Sequence, residues 1–178
     1  MKSAVKKWLY VMALSFVVVS MVGTEAYCDV VGDWTSVSIQ SARTQQPGQA
    51  WETTTFNLSE TIVFGADGSY QHLNQGQAGA VGTWAETGPS GETGMLFSMD
   101  IQTYLVAMWH QILLARGMEG TFEITSYSFT GVLPWANAWR LRSRLHYTGI
   151  AHVTSPVVMD VKVIGDAKFV AVRTIPVQ

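Results

Sequence analysis

Three arginines at alternate positions are the most unusual ionisable feature of the chain. Arg140, Arg142 and Arg144 would lie on one face of a strand, because successive side chains of a strand point to opposite faces. Like charges in such a row repel one another unless something neutralises them. Two interpretations stay open. Either acidic neighbours from the first half of the chain neutralise the row, or the row lies inside or at the rim of a barrel and holds an anionic ligand through bidentate hydrogen bonds.

Tryptophan is the second residue type with a chemical use, since its indole ring can stack on a ligand. Trp51 and Trp135 lie in loop-like segments, where their rings would be exposed at the mouth of a barrel. Trp34, Trp84 and Trp139 instead occupy positions typical of the inward faces of strands. The predicted ligand-binding residues are Arg140, Arg142, Arg144, Trp51 and Trp135.

The histidines show no spacing that defines a metal site. They are His72, His110, His146 and His152. His146 and His152 lie on either side of Gly149, which could place them on facing strands of a hairpin, but solvated strand positions are the favoured interpretation. We therefore expect no metal.

Signatures of catalysis are equally lacking. Beyond residue 28 the chain has neither a Gly-x-Ser-x-Gly elbow nor a Ser-x-x-Lys motif. Glu119 and Glu123 would adjoin on a helix, but the alternation around Phe122 predicts a strand, so no carboxylate pair for glycoside hydrolysis is expected. We predict that the protein is not an enzyme and uses no cofactor.

Short runs of aromatic and β-branched residues, bounded by turn-forming residues, predict strands. Most of the arginines, tryptophans and histidines discussed above lie in these runs. The runs are Val30 to Ile39, Thr53 to Phe64, Ser69 to Leu73, Ala80 to Glu86, Met95 to Ile101, Thr121 to Phe129, Trp139 to Tyr147, Val157 to Val163 and Phe169 to Ile175. Asp67-Gly68 between two runs predicts a hairpin turn, and the polar stretch from Gln40 to Gln49 predicts a loop.

One segment, Thr103 to Arg116, breaks this pattern and predicts a helix. Leu105, Trp109, Ile112 and Leu113 fall at helical spacing, and Gly117 stands where a helix commonly ends. The sequence thus predicts a mainly β fold, a single antiparallel up-and-down β-barrel of about eight to ten strands with one helix.

An integral outer-membrane barrel is the competing β-fold. Its outward face should be apolar, whereas Trp139 to Tyr147 carries three arginines and a histidine on one face, which in that fold would have to line a lumen.

Two stretches resemble lipocalins and bacterial lipocalin-like domains, a resemblance that covers Val30 to about Glu86. Gly32-Asp33-Trp34 is similar to the Gly-x-Trp signature of the family. Phe64 to Tyr70, followed by Gly82-Thr83-Trp84, resembles its Phe-x-x-Asp-Gly-x-Tyr and second Gly-x-Trp motifs. The resemblance implies a barrel that Trp34 plugs at one end, with Arg173 of the last strand stacked over that ring.

The second half departs from the family. Thr125-Ser126-Tyr127 lacks the Asp of the family's Thr-Asp-Tyr motif, and a helix before Gly117 differs from the family's main helix, which follows the barrel. The resemblance nevertheless implies an interior that accepts a small apolar or amphipathic molecule.

Residues 1–28 have the layout of a secretory signal peptide. A lysine-rich start precedes an apolar run from Trp8 to Val19 that is too short to span a bilayer. A cut before Asp29 would leave one domain, 29–178, with no integral membrane span. The bulky Tyr27 before Cys28 argues against lipidation of that cysteine.

The charge of residues 29–178 excludes nucleic acid as a natural partner. Of the eleven basic and thirteen acidic residues, eight and twelve remain after the predicted cut. We predict a secreted or periplasmic protein that binds a small apolar or amphipathic ligand. The alternative is a non-enzymatic protein-interaction or inhibitor module that uses the barrel as a scaffold and its loops as contacts, with no partner identified by the sequence.

Overall fold

Eight antiparallel strands form a closed barrel. The computed structural model describes residues 30–74, 77–89, 94–137 and 139–174. Each strand pairs with the next along the chain, and β1 pairs with β8 to close the ring. The predicted fold class, mainly β and up-and-down with one helix, is confirmed; the predicted signal peptide lies outside the described residues.

The strands are long, and one helix interrupts their succession. The elements are β1 Gly32–Gln45, β2 Glu52–Phe64, β3 Ser69–Asn74, β4 Gln77–Pro89, β5 Gly94–Asp100, α1 Gln102–Ala115, β6 Glu119–Pro134, β7 Arg140–Ser155 and β8 Met159–Arg173. The predicted turn at Asp67-Gly68 is present, with Gly68 at a φ of 80° and its N–H donating to the Gly65 carbonyl. Strand β1 runs to Gln45, so the loop predicted from Gln40 is wrong in its first half.

Strand β8 joins two runs that the sequence predicts as separate strands. Gly165 lies between them, on the inward face, where an added Cβ would overlap the ring of Tyr147. Gly149 in β7 makes room for the ring of Phe122 in the same way. These two glycines therefore leave space for aromatic rings within strands and are not turn residues, and the barrel has eight strands.

Trp34 closes one end of the barrel, which we call the plug end. The ring is fully buried, and its Nε1 donates a hydrogen bond of 2.8 Å to the Val30 carbonyl. The Arg173 guanidinium lies 4.9 Å from the ring centroid, as the resemblance implies. Next to this plug, the rings of Phe64, Phe97, Tyr70 and Phe129 pack edge to face or tilted and fill the interior.

Helix α1 closes the opposite end, which we call the helix end. Leu105, Trp109 and Leu113 are its buried residues, as their helical spacing predicts. Trp109 Nε1 donates a hydrogen bond of 3.0 Å to the Tyr147 hydroxyl, which ties the helix to β7. The helix ends in a Schellman motif at Gly117, because Gly117 N–H donates to Leu114 O and Met118 N–H donates to Leu113 O, both at 2.9 Å.

Tyr127 fixes the start of the helix. Its hydroxyl donates to Met99 O at 2.8 Å and accepts from Ile101 N–H at 3.0 Å, where β5 passes into α1. Burial raises the pKa of this phenol to about 12, so it remains a donor at physiological pH. The resulting fold places the helix over a part of the barrel that the aromatic rings do not fill.

Candidate functional site

A cavity of about 290 Å³ lies inside the barrel at the helix end. Its volume is just below the roughly 300–1,000 Å³ typical of small-molecule sites. Leu105, Trp109 and Ile112 of α1 form one wall, and Phe169 of β8 contributes to the opposite lining. Phe169 also packs on Phe129, with ring centroids 5.3 Å apart, so the aromatic filling of the plug end forms the floor of the cavity.

Strands β2 and β3 place an ionisable pair in the lining of this cavity. On β2, Glu60 is in phase with the buried Ile62 and Phe64, so alternation turns its carboxylate inward. On β3, His72 is two residues from the buried Tyr70 and pairs in register with Ile62. The hairpin therefore brings side chains twelve positions apart into contact.

Glu60 and His72 form a hydrogen-bonded pair of which each member keeps one unpaired atom. His72 Nδ1 lies 2.8 Å from Glu60 Oε2, and the two side chains are 12% and 6% exposed. Glu60 Oε1 and His72 Nε2 are buried and have no hydrogen-bond partner among the described residues. Buried polar atoms are normally satisfied, and an unsatisfied one costs about 1–3 kcal/mol. Two such atoms in a cavity wall mark a place where a bound molecule would complete the hydrogen bonding.

Aromatic rings surround the His72 imidazole. Tyr104 of α1 stacks on it with centroids 6.5 Å apart, and Tyr70 meets it edge-on at 4.9 Å. Burial, together with the charge of Glu60, raises the pKa of the Tyr104 phenol. Burial likewise raises the pKa of Tyr147, although the hydrogen bond from Trp109 opposes this effect. Both phenols therefore stay neutral at physiological pH and add polar groups without adding charge.

The rim of the cavity is more polar than its walls. Glu52, Thr54 and Phe56 continue the inward face of β2 beyond the core and are exposed, and the exposed Arg116 follows the end of α1. Apolar walls, a polar pair inside and a charged rim together suit a small amphipathic molecule.

The predicted arginine row lies on the outer surface of the barrel. Leu141, Ser143 and Leu145 of β7 are buried, so Arg140, Arg142 and Arg144 between them point outward and are exposed. The interpretation that the row lines the barrel interior is therefore wrong, because β7 uses its other face for the core. Arg142 and Arg144 border a shallow outer groove with Leu96, Val132 and Val170.

Neutralisation of the row also differs from the expectation. Arg144 Nη2 lies 3.9 Å from Asp166, which belongs to β8 and not to the first half of the chain. Asp166 also contacts Arg43 at 3.7 Å and His146 at 2.9 Å. Arg140 and Arg142 form no salt bridge within the described ranges.

The two predicted loop tryptophans lie at opposite ends of the molecule. Trp51 precedes β2 at the helix end and is 41% exposed, while Trp135 follows β6 at the plug end and is 45% exposed. Their exposure is confirmed, but neither lines the helix-end cavity. Trp139, expected to point inward, is 56% exposed because it precedes β7 in the turn. The structure thus does not bring the predicted site residues together.

The favoured interpretation of His146 and His152 as solvated strand residues is confirmed, because both lie on the outer face of β7, which continues through Gly149 without a hairpin turn. His152 has Asp160 at 2.8 Å on one ring nitrogen and Glu123 at 3.5 Å on the other. Its hydrogen bond to Asp160, joined by that to Glu123, raises its pKa above the usual 6.5. Across the four described ranges, no group of three or more His, Cys, Asp or Glu residues is placed to hold a metal ion.

Sequence reasoning missed the pair at the centre of the cavity. The signal was present in β2, where Glu60 is the only charged residue among the inward positions from Thr54 to Phe64. A carboxylate on the apolar face of a strand is costly unless it is paired. Its partner His72 becomes visible only when the hairpin register is known.

Comparisons with known proteins add no relative. The chain matches no protein-family model, no curated protein and no solved structure.

In the part of the chain that the structure describes, no helix has the length and apolar character required to cross a membrane.

Proposed function

We propose that this protein binds a small amphipathic molecule in the helix-end cavity. The observation that carries the proposal is the buried Glu60–His72 pair, whose Oε1 and Nε2 atoms lack partners in the described structure and whose side chains line an otherwise largely apolar cavity. In the free protein, such atoms carry an unfavourable desolvation energy that a polar ligand group would relieve. The apolar part of the ligand would contact Leu105, Trp109 and Phe169.

The same features favour a binding protein over an enzyme. A His–carboxylate pair also occurs in acid–base catalysis, but catalysis needs a third group placed to act on the substrate. Ser36 is the nucleophile nearest in register, since it pairs with Glu60, yet its hydroxyl makes no hydrogen bond to His72 or any other described group. We therefore propose a carrier or storage role.

Export and kinship with lipocalins belong to the same proposal. The basic and apolar start of the chain supports export to the periplasm or the extracellular space. The up-and-down barrel and the Arg173 cation over Trp34 support a lipocalin-like protein. Helix α1 lies between β5 and β6, and this position differs from that of the family's main helix, which follows the barrel.

A cavity-filling variant tests the proposal. Ala42 lines the cavity, so Ala42→Phe should occupy its volume, whereas Ala107→Phe adds the same ring on the exposed side of α1. Native mass spectrometry of protein purified from its own host should detect a retained small molecule in the wild type and in Ala107→Phe, and none in Ala42→Phe. A small molecule that is retained equally by Ala42→Phe would contradict the proposal. So would wild-type protein that carries no adduct and binds no added octanol, an outcome that the interaction-module alternative predicts.

A further inference from the structure

The Glu60–His72 pair also specifies the chemical class of the bound molecule. This step rests on the proposed function, because it assumes that the cavity is the binding site. A carboxylate has no hydrogen to donate, so the 2.8 Å contact between Glu60 Oε2 and His72 Nδ1 requires that Nδ1 carries the proton. In the neutral imidazole the other nitrogen, Nε2, is then an acceptor.

Two acceptors without partners in the described structure thus lie in one wall. They are Glu60 Oε1 and His72 Nε2, both buried. An alcohol has one O–H and would satisfy one of them, and a carboxylate ligand would place a second negative charge beside Glu60. A primary ammonium has three N–H donors, so it has a hydrogen bond for each of the two acceptors and one for a further acceptor.

The charges around the cavity favour the same class. Asp166 lies on the lining but is already paired with Arg43, Arg144 and His146 on the outer side of the barrel. At the exposed rim, Glu52 and Arg116 carry opposite charges, so together they add no net charge. With His72 neutral, Glu60 is therefore a buried charge that no lysine or arginine within the described residues pairs with.

The rings around the pair suit a cation as well. Tyr104 and Phe169, which line the cavity, are ring neighbours of His72, and an ammonium beside it would lie close to aromatic rings, which attract cations. We infer that the cavity binds an amphipathic primary amine, whose ammonium group donates to Glu60 Oε1 and His72 Nε2 while its apolar chain lies along α1.

Calorimetric titration of the purified chain with three probes of equal length tests this inference. Octylammonium should bind more tightly than octanol by roughly tenfold or more, because charge-assisted hydrogen bonds are about twice as strong as neutral ones. Octanoate should bind no more tightly than octanol. Equal or tighter binding of octanol or octanoate would overturn the ammonium inference and leave the cavity as the binding site. Failure of all three probes would instead contradict the proposed function itself.

Matched variants locate the effect. Glu60→Gln removes the buried charge and should abolish the preference for octylammonium over octanol. Glu86→Gln, at an exposed position of β4 outside the cavity lining, should change octylammonium binding by no more than about twofold, because solvent and salt screen its charge. If Glu60→Gln does not fold, the double variant Glu60→Leu/His72→Leu gives the decision, because apolar replacement of a buried polar pair is often tolerated. A preserved preference for octylammonium over octanol in that double variant would overturn the assignment.

Discussion

At the scale of single residues, glycines that face aromatic rings shape the interior of this barrel. Gly165, Gly149 and Gly131 each lie in a strand, and a Cβ at any of them would overlap the ring of Tyr147, Phe122 or Phe97 respectively. Protein interiors are packed densely enough that such a ring has no other place to go. Sequence reasoning treats glycine as a turn former, and this is why it divided β8 into two strands.

Gly165→Ala tests this packing. The added methyl group would overlap the Tyr147 ring, so we expect a loss of about 1–3 kcal/mol in the free energy of unfolding, measured by urea denaturation. In a Tyr147→Ala background the ring is gone, and the same Gly165→Ala change should cost much less. If Gly165→Ala lowers the free energy of unfolding equally in both backgrounds, the Tyr147 ring does not fill the space next to Gly165 and the prediction is contradicted.

His152 provides the pH-dependent prediction. Its neighbours Asp160 and Glu123 raise its pKa, so the stability it contributes is fully present below the ordinary value of 6.5 and is lost as pH rises through the raised pKa. Titration followed by NMR should give His152 a pKa above 6.5, and Asp160→Asn should lower it toward that value. An unchanged His152 pKa in Asp160→Asn would contradict the assigned cause, since the hydrogen bond to Asp160 is the largest contribution.

The residues of the plug end were predictable from the sequence, whereas the pair at the centre of the candidate site was not. Trp34 follows from a short motif and Arg173 from the resemblance that the motif carries, and the structure places the two together. Glu60 and His72 belong to no motif, because their contact depends on the pairing register of β2 and β3. The arginine row drew attention because its charges alternate, but alternation alone does not say which face of a strand points inward.

At the scale of elements, helix α1 was the easiest to predict and strand ends were the hardest. Its apolar residues repeat at helical spacing and its end is marked by Gly117, so the expected Thr103 to Arg116 differs from the observed Gln102–Ala115 by one residue at each end. In β1, by contrast, Gln40 to Gln45 has no apolar alternation, and hydrogen bonds to both β2 and β8 hold it in the sheet.

The end of α1 can be tested by substitution at Gly117. This residue has a φ of 70°, where an L side chain is strained, and its N–H and that of Met118 close the Schellman motif. Gly117→Ala should lower the free energy of unfolding by about 1 kcal/mol, and Gly117→Asn by less, because asparagine tolerates this conformation better. Circular dichroism during chemical denaturation would measure both. Alanine that is tolerated as well as asparagine would contradict the motif.

At the scale of the whole molecule, the barrel has a packed end and a hollow end. The plug end is filled by Trp34 and the aromatic rings next to it, and the helix end holds the cavity under α1. The class of the fold was predictable because strand-like runs and turn formers alternate along the whole chain. The position of the cavity was not, since it depends on how a helix between β5 and β6 packs over the open end.

The most direct test of the account is methyl NMR of the labelled protein during titration with octylammonium. Binding in the cavity predicts shifts at the methyl groups of Leu58, Leu105, Met108 and Ile112, which line it. The methyl groups of Leu133 and Leu141, buried outside the cavity lining, should not move. Shifts confined to the outer groove beside Arg142 and Arg144, or spread evenly over the surface, would contradict the claim that the barrel interior binds the molecule.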